Sequence, residues 1–167
     1  MELSIQKYTM KKIYLDKTKV TTCTSVFASG YEVVWAGAVI TSMPVKYKGK
    51  EYQRYADTYD IHFIFDDEIP ILDFYTIPLV DIFAVDSYWG YIGTVGEPFY
   101  LEGKAPVCYI DHDKNCFLLA DNSKDFLSNV EIWKEQMKQC TSIEVFASKE
   151  EAKGKYKFLD WGERENL

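Results

Sequence analysis

The side chains that could do chemistry in this sequence are two histidines, four cysteines, a few acidic clusters and one aromatic cluster. His62 and His112 have neither Glu nor His three or four residues downstream, so neither has the spacing that holds zinc on a helix face. Cys23, Cys108, Cys116 and Cys140 form no C-x-x-C pair, which argues against a zinc ribbon or a dithiol redox site. A Cys–His nucleophile needs a base beside its thiol. His112 lies between Cys108 and Cys116, but both cysteines fall in apolar runs that read as buried strands, where a thiol is a poor nucleophile. Asp111, Asp113 and Asn115 open like a calcium loop. That loop needs glycine where Cys116 stands and a bidentate Glu where Asn122 stands. Gly90, Gly93 and Gly96 recur every third residue and match neither phosphate-binding fingerprint. No catalytic set, metal site or cofactor is expected, and the chain does not read as an enzyme.

A binding surface is the stronger reading. Tyr88, Trp89 and Tyr91 crowd a glycine-bearing segment beside Asp86 and Glu97. Three large aromatics within four residues cannot all point inward from extended chain. At least one faces outward, where Tyr and Trp anchor protein interfaces and attract Arg or Lys. The triplet Asp66-Asp67-Glu68 adds a local negative charge. The expected partner-binding residues are Asp66, Asp67, Glu68, Asp86, Tyr88, Trp89 and Tyr91.

The elements that must position them follow from periodicity. Residues 59–65 alternate, with Tyr59, Ile61, Phe63 and Phe65 on one face, and predict a strand that stops at Asp66. Residues 5–14 predict a strand. Residues 21–27 and 31–41 are rich in β-branched and aromatic residues, although Ala36, Gly37 and Ala38 also allow a short buried helix in the second. Residues 47–50 read as a turn between strands. Residues 105–120 predict a hairpin around the polar turn Asp111–Asn115. Asn122 or Ser123 then caps a helix whose apolar positions, Phe126, Leu127, Val130, Trp133 and Met137, run to about Cys140. A short strand at 143–146 and a charged helical turn at 149–153 follow. The order predicts an α+β fold: a single domain with a mostly antiparallel sheet and helices packed against it.

Composition bounds the partners. With 167 residues, 47% apolar and 16% aromatic, the chain can bury a core without disulfide or metal. It shows no secretory leader and no apolar run long enough to span a bilayer, so a cytoplasmic protein with reduced cysteines and no membrane contact is expected. The formal charge is −7, but residues 51–130 hold 15 acidic against 4 basic groups, a net −11. That surface repels nucleic-acid phosphate and steers a basic protein toward itself.

The stretches IPLVDIFAVDSYWGYIGTVGE and APVCYIDHDKNCFLLADNSKDFL, within residues 69–127, resemble the SUKH superfamily of fungal glucan-synthesis regulators and bacterial immunity proteins. The resemblance is carried by Phe83-Ala84, Asp86, Gly90, Pro106-Val107, Ala120-Asp121, Ser123 and Phe126-Leu127. Members usually have a Gly-Gly pair where this chain has Trp89-Gly90. The resemblance implies an α+β binding module without an active site. In bacteria it implies an immunity protein that covers the active site of a toxin, often a nuclease. A regulatory scaffold and a small-molecule binder are the alternatives.

Overall fold

The structure, a computed structural model, describes residues 11–18 and 31–159. The strand expected at 21–27, the first part of that at 5–14, and Cys23 lie outside the described residues. The strands are β1 (Lys11–Asp16), β2 (Tyr31–Ala36), β3 (Ala38–Ile40), β4 (His62–Phe63), β5 (Tyr75–Ile77) and β6 (Val80–Val85). Then follow β7 (Tyr91–Val95), β8 (Val107–Ile110), β9 (Cys116–Ala120), β10 (Lys138–Gln139) and β11 (Glu144–Phe146). The helices are α1 (Lys50–Tyr59), α2 (Ser123–Ser128) and α3 (Lys149–Lys155). The fold is α+β, and no helix among the described residues is long and apolar enough to cross a membrane.

The main sheet runs β10–β9–β8–β7–β6 through antiparallel pairs. The outer edge of β6 is shared end to end by β3, which is parallel to residues 80–82, and β4, antiparallel to residues 84–85. Two small ribbons lie beside it, parallel β1–β2 and antiparallel β5–β11. The β6–β7 register shifts between Ile82 and Ala84. One extra residue there reverses the alternation. Val80 and Ile82 therefore pack with Ile64, Phe74, Cys108 and Ile110, while Phe83 and Ala84 pack together with Ile61, Ile92, Tyr109, Phe126 and Trp133. A Cβ on Gly93 would lie 2.7 Å from Val80 Cγ1 and 2.8 Å from the Asp81 carbonyl, so only glycine lets β7 close on the bulged strand.

Several elements differ from their sequence reading. Residues 59–65 are not one strand: α1 ends at Tyr59, Asp60 turns the chain in the left-handed region (φ 57°), and β4 keeps only His62 and Phe63. Residues 45–47 form a 3₁₀ turn that leads into α1 rather than to a second strand. Tyr52, Tyr55 and Tyr59 share a helical spacing, and Tyr52 packs edge-on against Phe63 and Phe65, with centroids 5.0 and 5.6 Å apart. The apparent period of two came from residues on either side of a helix end. Residues 31–41 are two strands separated by Gly37, whose φ of 128° a side chain rarely adopts. The long helix expected to Cys140 is α2 followed by a 3₁₀ segment, Val130–Glu135, kinked at Ile132. Lys138 and Gln139 leave it to pair with β9. The hairpin, the Asn122 cap (Oδ1 accepts from the Asp125 N–H at 2.8 Å), β11 and the last helix lie where expected.

Two buried carboxylates behave oppositely. Asp16 would be raised by burial, but the Lys149 ammonium 2.7 Å away and the hydroxyls of Thr18 and Tyr75 outweigh this and lower its pKa. This cluster ties β1 to α3 and β5. Asp81, on β6, accepts from Thr41 Oγ1 at 3.0 Å, and its Oδ1 has no hydrogen-bond partner among the described residues. Burial raises its pKa. A carboxyl raised in the folded state costs stability above that folded pKa, and nothing below its unfolded value of about 4. Asp81→Asn is therefore expected to raise stability at pH 7 by about 1 kcal/mol, with the gain vanishing by about pH 3. Thermal melts at the two pH values check this, and a loss of stability at pH 7 would contradict it.

Candidate functional site

Two segments distant in sequence converge on one cleft of about 730 Å³. Lys48, Gly49 and the Tyr52–Gln53–Ala56 face of α1 form one side, and residues 62–65, on and after β4, form the base. The loop 67–71 and the β6–β7 turn complete the wall. Aromatic and aliphatic side chains (Tyr52, Phe63, Phe65, Val85, Tyr91) dominate the interior. At the rim Ile71 is 91% exposed and Trp89 82% exposed, with Ile69 half-exposed. Exposed large apolar side chains grouped round one cleft are a feature of binding surfaces.

The β6–β7 turn is built around Asp86. Its carboxylate is 7% exposed. Oδ1 accepts from the backbone N–H groups of Tyr88 (3.0 Å) and Gly90 (2.8 Å), and Oδ2 accepts from the Tyr109 hydroxyl at 2.6 Å. Burial and this carboxylate together push the Tyr109 hydroxyl pKa well up, which keeps it protonated as the donor. A Cβ on Gly90 would lie 2.0 Å from the Tyr109 hydroxyl oxygen, so the position admits glycine alone. Asp86 therefore does not present its charge to a partner, as the sequence suggested: its acceptors are consumed in holding the turn. The turn in return forces Trp89 into the left-handed region at φ 65°, a conformation that costs a bulky residue energy and that glycine adopts freely.

A second hub fixes this turn to α1. Asp60, at the helix C-terminus, accepts from the Ser87 N–H (3.1 Å), the Ser87 hydroxyl (2.7 Å) and the Lys134 ammonium (2.7 Å), and is hydrogen-bonded to His62 Nε2 at 2.9 Å. Burial opposes ionisation, but these partners win and bring Asp60 down to about 2. Lys134 also sits 4.7 Å from the Tyr88 ring centroid, so that ring is held by a cation of the chain itself. Sequence reading missed Asp60. Its signal, an Asp directly after a tyrosine stripe of helical spacing, is visible only once α1 is recognised.

Of the seven residues expected at the partner face, Asp67, Glu68, Trp89 and Tyr91 line the cleft, as does the buried Asp86. Tyr91 is half-buried against Phe74, with centroids 5.1 Å apart. Asp66 and Tyr88 lie outside the lining: Asp66 accepts from Ser42 Oγ at 2.5 Å, and Tyr88 belongs to the Lys134 contact. Asp67 is paired with Lys48 at 2.7 Å, which lowers its pKa. Glu68 has no ion pair among the described residues. The other polar clusters are occupied locally. His112 is exposed beside Asp113, and Asp111 closes its turn on the Asn115 N–H at 2.8 Å. Hydrogen bonding to Cys116 and full burial push the Cys108 thiol up, leaving it unreactive.

No protein-family model, curated protein or solved structure matches this chain.

The strain at Trp89 gives a test of the site. Trp89→Gly is expected to stabilise the fold by about 1 kcal/mol by relieving the left-handed backbone, while abolishing whatever binding uses the indole. Denaturant unfolding checks the first half. A clear loss of stability would mean that Trp89 is held by packing rather than displayed.

Proposed function

We propose that this chain is a non-catalytic protein-binding module that docks a basic partner protein at the cleft. Its role would be that of an immunity protein that neutralises a bacterial nuclease-type toxin by covering its active site. The observation that carries this reading is the convergence of Asp67 and Glu68 with the strained, 82%-exposed Trp89 on one cleft. Strain kept at an exposed aromatic is characteristic of a recognition residue. The net −11 of residues 51–130 supports the choice of partner, because a nuclease must present cations to phosphate, and those cations are attracted to this surface. The resemblance to SUKH immunity proteins points the same way, and a cytoplasmic setting would follow from it.

One observation favours a second reading. The cleft volume lies within the range of small-ligand sites, and His62 lines it. Against this, His62 is engaged by Asp60 and the Asp86 carboxylate is sealed in its turn, which leaves few polar groups free to orient a small molecule.

Capture of the tagged chain from its native cells at low and high salt separates the readings. One stoichiometric basic protein, released at high salt, is expected. Several salt-resistant proteins would favour a regulatory scaffold, and a small molecule retained in native mass spectrometry would favour the second reading. With the partner in hand, the double reversal Asp67→Lys with Glu68→Lys should slow association by about tenfold or more and flatten its salt dependence. An unchanged association rate would remove these carboxylates from the interface.

A further inference from the structure

We propose that the cleft takes an arginine side chain from the partner, and that Lys48 holds that cation position until it arrives. The inference rests on the protein-binding reading and names the group the cleft recognises. Its starting point is a cation already in place. Lys48 Nζ lies 2.7 Å from Asp67 Oδ2 and 5.5 Å from the centroid of Phe65, between a carboxylate and an aromatic face inside the cleft wall. The wall is thus shaped for a positive charge.

Lys48 fills that position loosely. Its side chain and that of Asp67 are 50% and 44% exposed, and a pair so open to water contributes little net stability, so a competing cation displaces it easily. The ammonium engages one oxygen of Asp67 and leaves Glu68 without an ion pair among the described residues. The remaining ionisable groups at the cleft do not compete: His62 is hydrogen-bonded to Asp60, and Asp86 is closed in its turn.

The chemistry selects arginine over lysine. An incoming lysine would only repeat what Lys48 already does. A guanidinium presents a planar fork of donors that can engage Asp67 and Glu68 together, and its flat face stacks on rings such as Tyr52, Phe65 and Trp89. The cleft is much larger than one side chain, and Ile69 and Ile71 stand exposed at its rim. The occupant is therefore an arginine flanked by apolar residues on a protruding segment of the partner.

The test is an NMR titration of the ¹⁵N-labelled full chain with N-acetyl-Leu-Arg-Leu-amide and, in parallel, with its Leu-Gln-Leu counterpart. The reporter is the Trp89 indole N–H, assigned by comparison with Trp89→Phe. The arginine peptide should shift this signal and bind at least about tenfold more tightly than the glutamine peptide. Lys48→Met should strengthen arginine-peptide binding and Glu68→Gln should weaken it, and both positions are exposed enough that unchanged melting temperatures are expected. Equal binding of the two peptides, no shift at Trp89, or weaker binding by Lys48→Met would overturn the proposal. The captured partner, tested against Trp89→Ala, keeps the two levels apart. If that variant loses the partner while the peptides fail, the arginine assignment falls and the docking cleft stands. If it keeps the partner, the docking cleft itself falls.

Discussion

The cleft depends on one buried carboxylate. Asp86 gathers two backbone N–H groups and the Tyr109 hydroxyl around its two oxygens, and so fixes the path of the chain from β6 into β7. Charge-assisted bonds of this kind are about twice as strong as neutral ones, and Asp86 and Tyr109 are both buried, with the Tyr109 ring packed against Trp133 at a centroid distance of 5.5 Å. The Tyr109 hydroxyl leaves no room for a side chain at Gly90, and the residue just before it stands in the left-handed region. That residue is Trp89. A stable core interaction thereby holds an indole in solvent in a conformation it would not choose.

The rest of the cleft is brought to this turn by the bulge in β6 and by the end of α1. The bulge turns Phe83 and Ala84 onto the side occupied by Tyr55, Tyr59 and Ile61, which seats α1 over the sheet. Asp60 then binds the helix end to Ser87, inside the turn, and to Lys134 on the 3₁₀ segment. Its depressed pKa means that this connection is intact at neutral pH and lost only as pH falls from about 4 toward 2. Meanwhile β4 leads the chain into the 66–71 loop, so Asp67 and Glu68 line the same cleft as Trp89. Sheet geometry, helix capping and turn chemistry each place one wall.

Much of this was legible in the sequence, for physical reasons. The β8–β9 hairpin and the Asn122 cap are local: turn residues and a side chain three positions from its donor suffice to specify them. Of the three clustered aromatics, Tyr88 and Trp89 face outward and Tyr91 is half-buried, as three bulky rings within four residues of chain require. The helix α1 was hidden because its stripe is tyrosine set among charges, and because the residues just beyond it imitate strand alternation. The role of Asp86 was hidden for a different reason. Whether a carboxylate faces water or a tyrosine hydroxyl across the sheet is decided by a contact 23 positions away, which no local pattern encodes.

If a partner docks as proposed, it is the cleft, rather than some other surface, that must meet it. Exposed apolar side chains occur elsewhere, at Tyr100 and Leu101 on the β7–β8 connection, so the alternative is concrete. Hydrogen–deuterium exchange of the full chain, alone and with its captured partner, distinguishes them directly. Protection confined to residues 48–56, 62–71 and 85–91 is the result this structure predicts. Protection at residues 99–103, with those three segments unchanged, would contradict it.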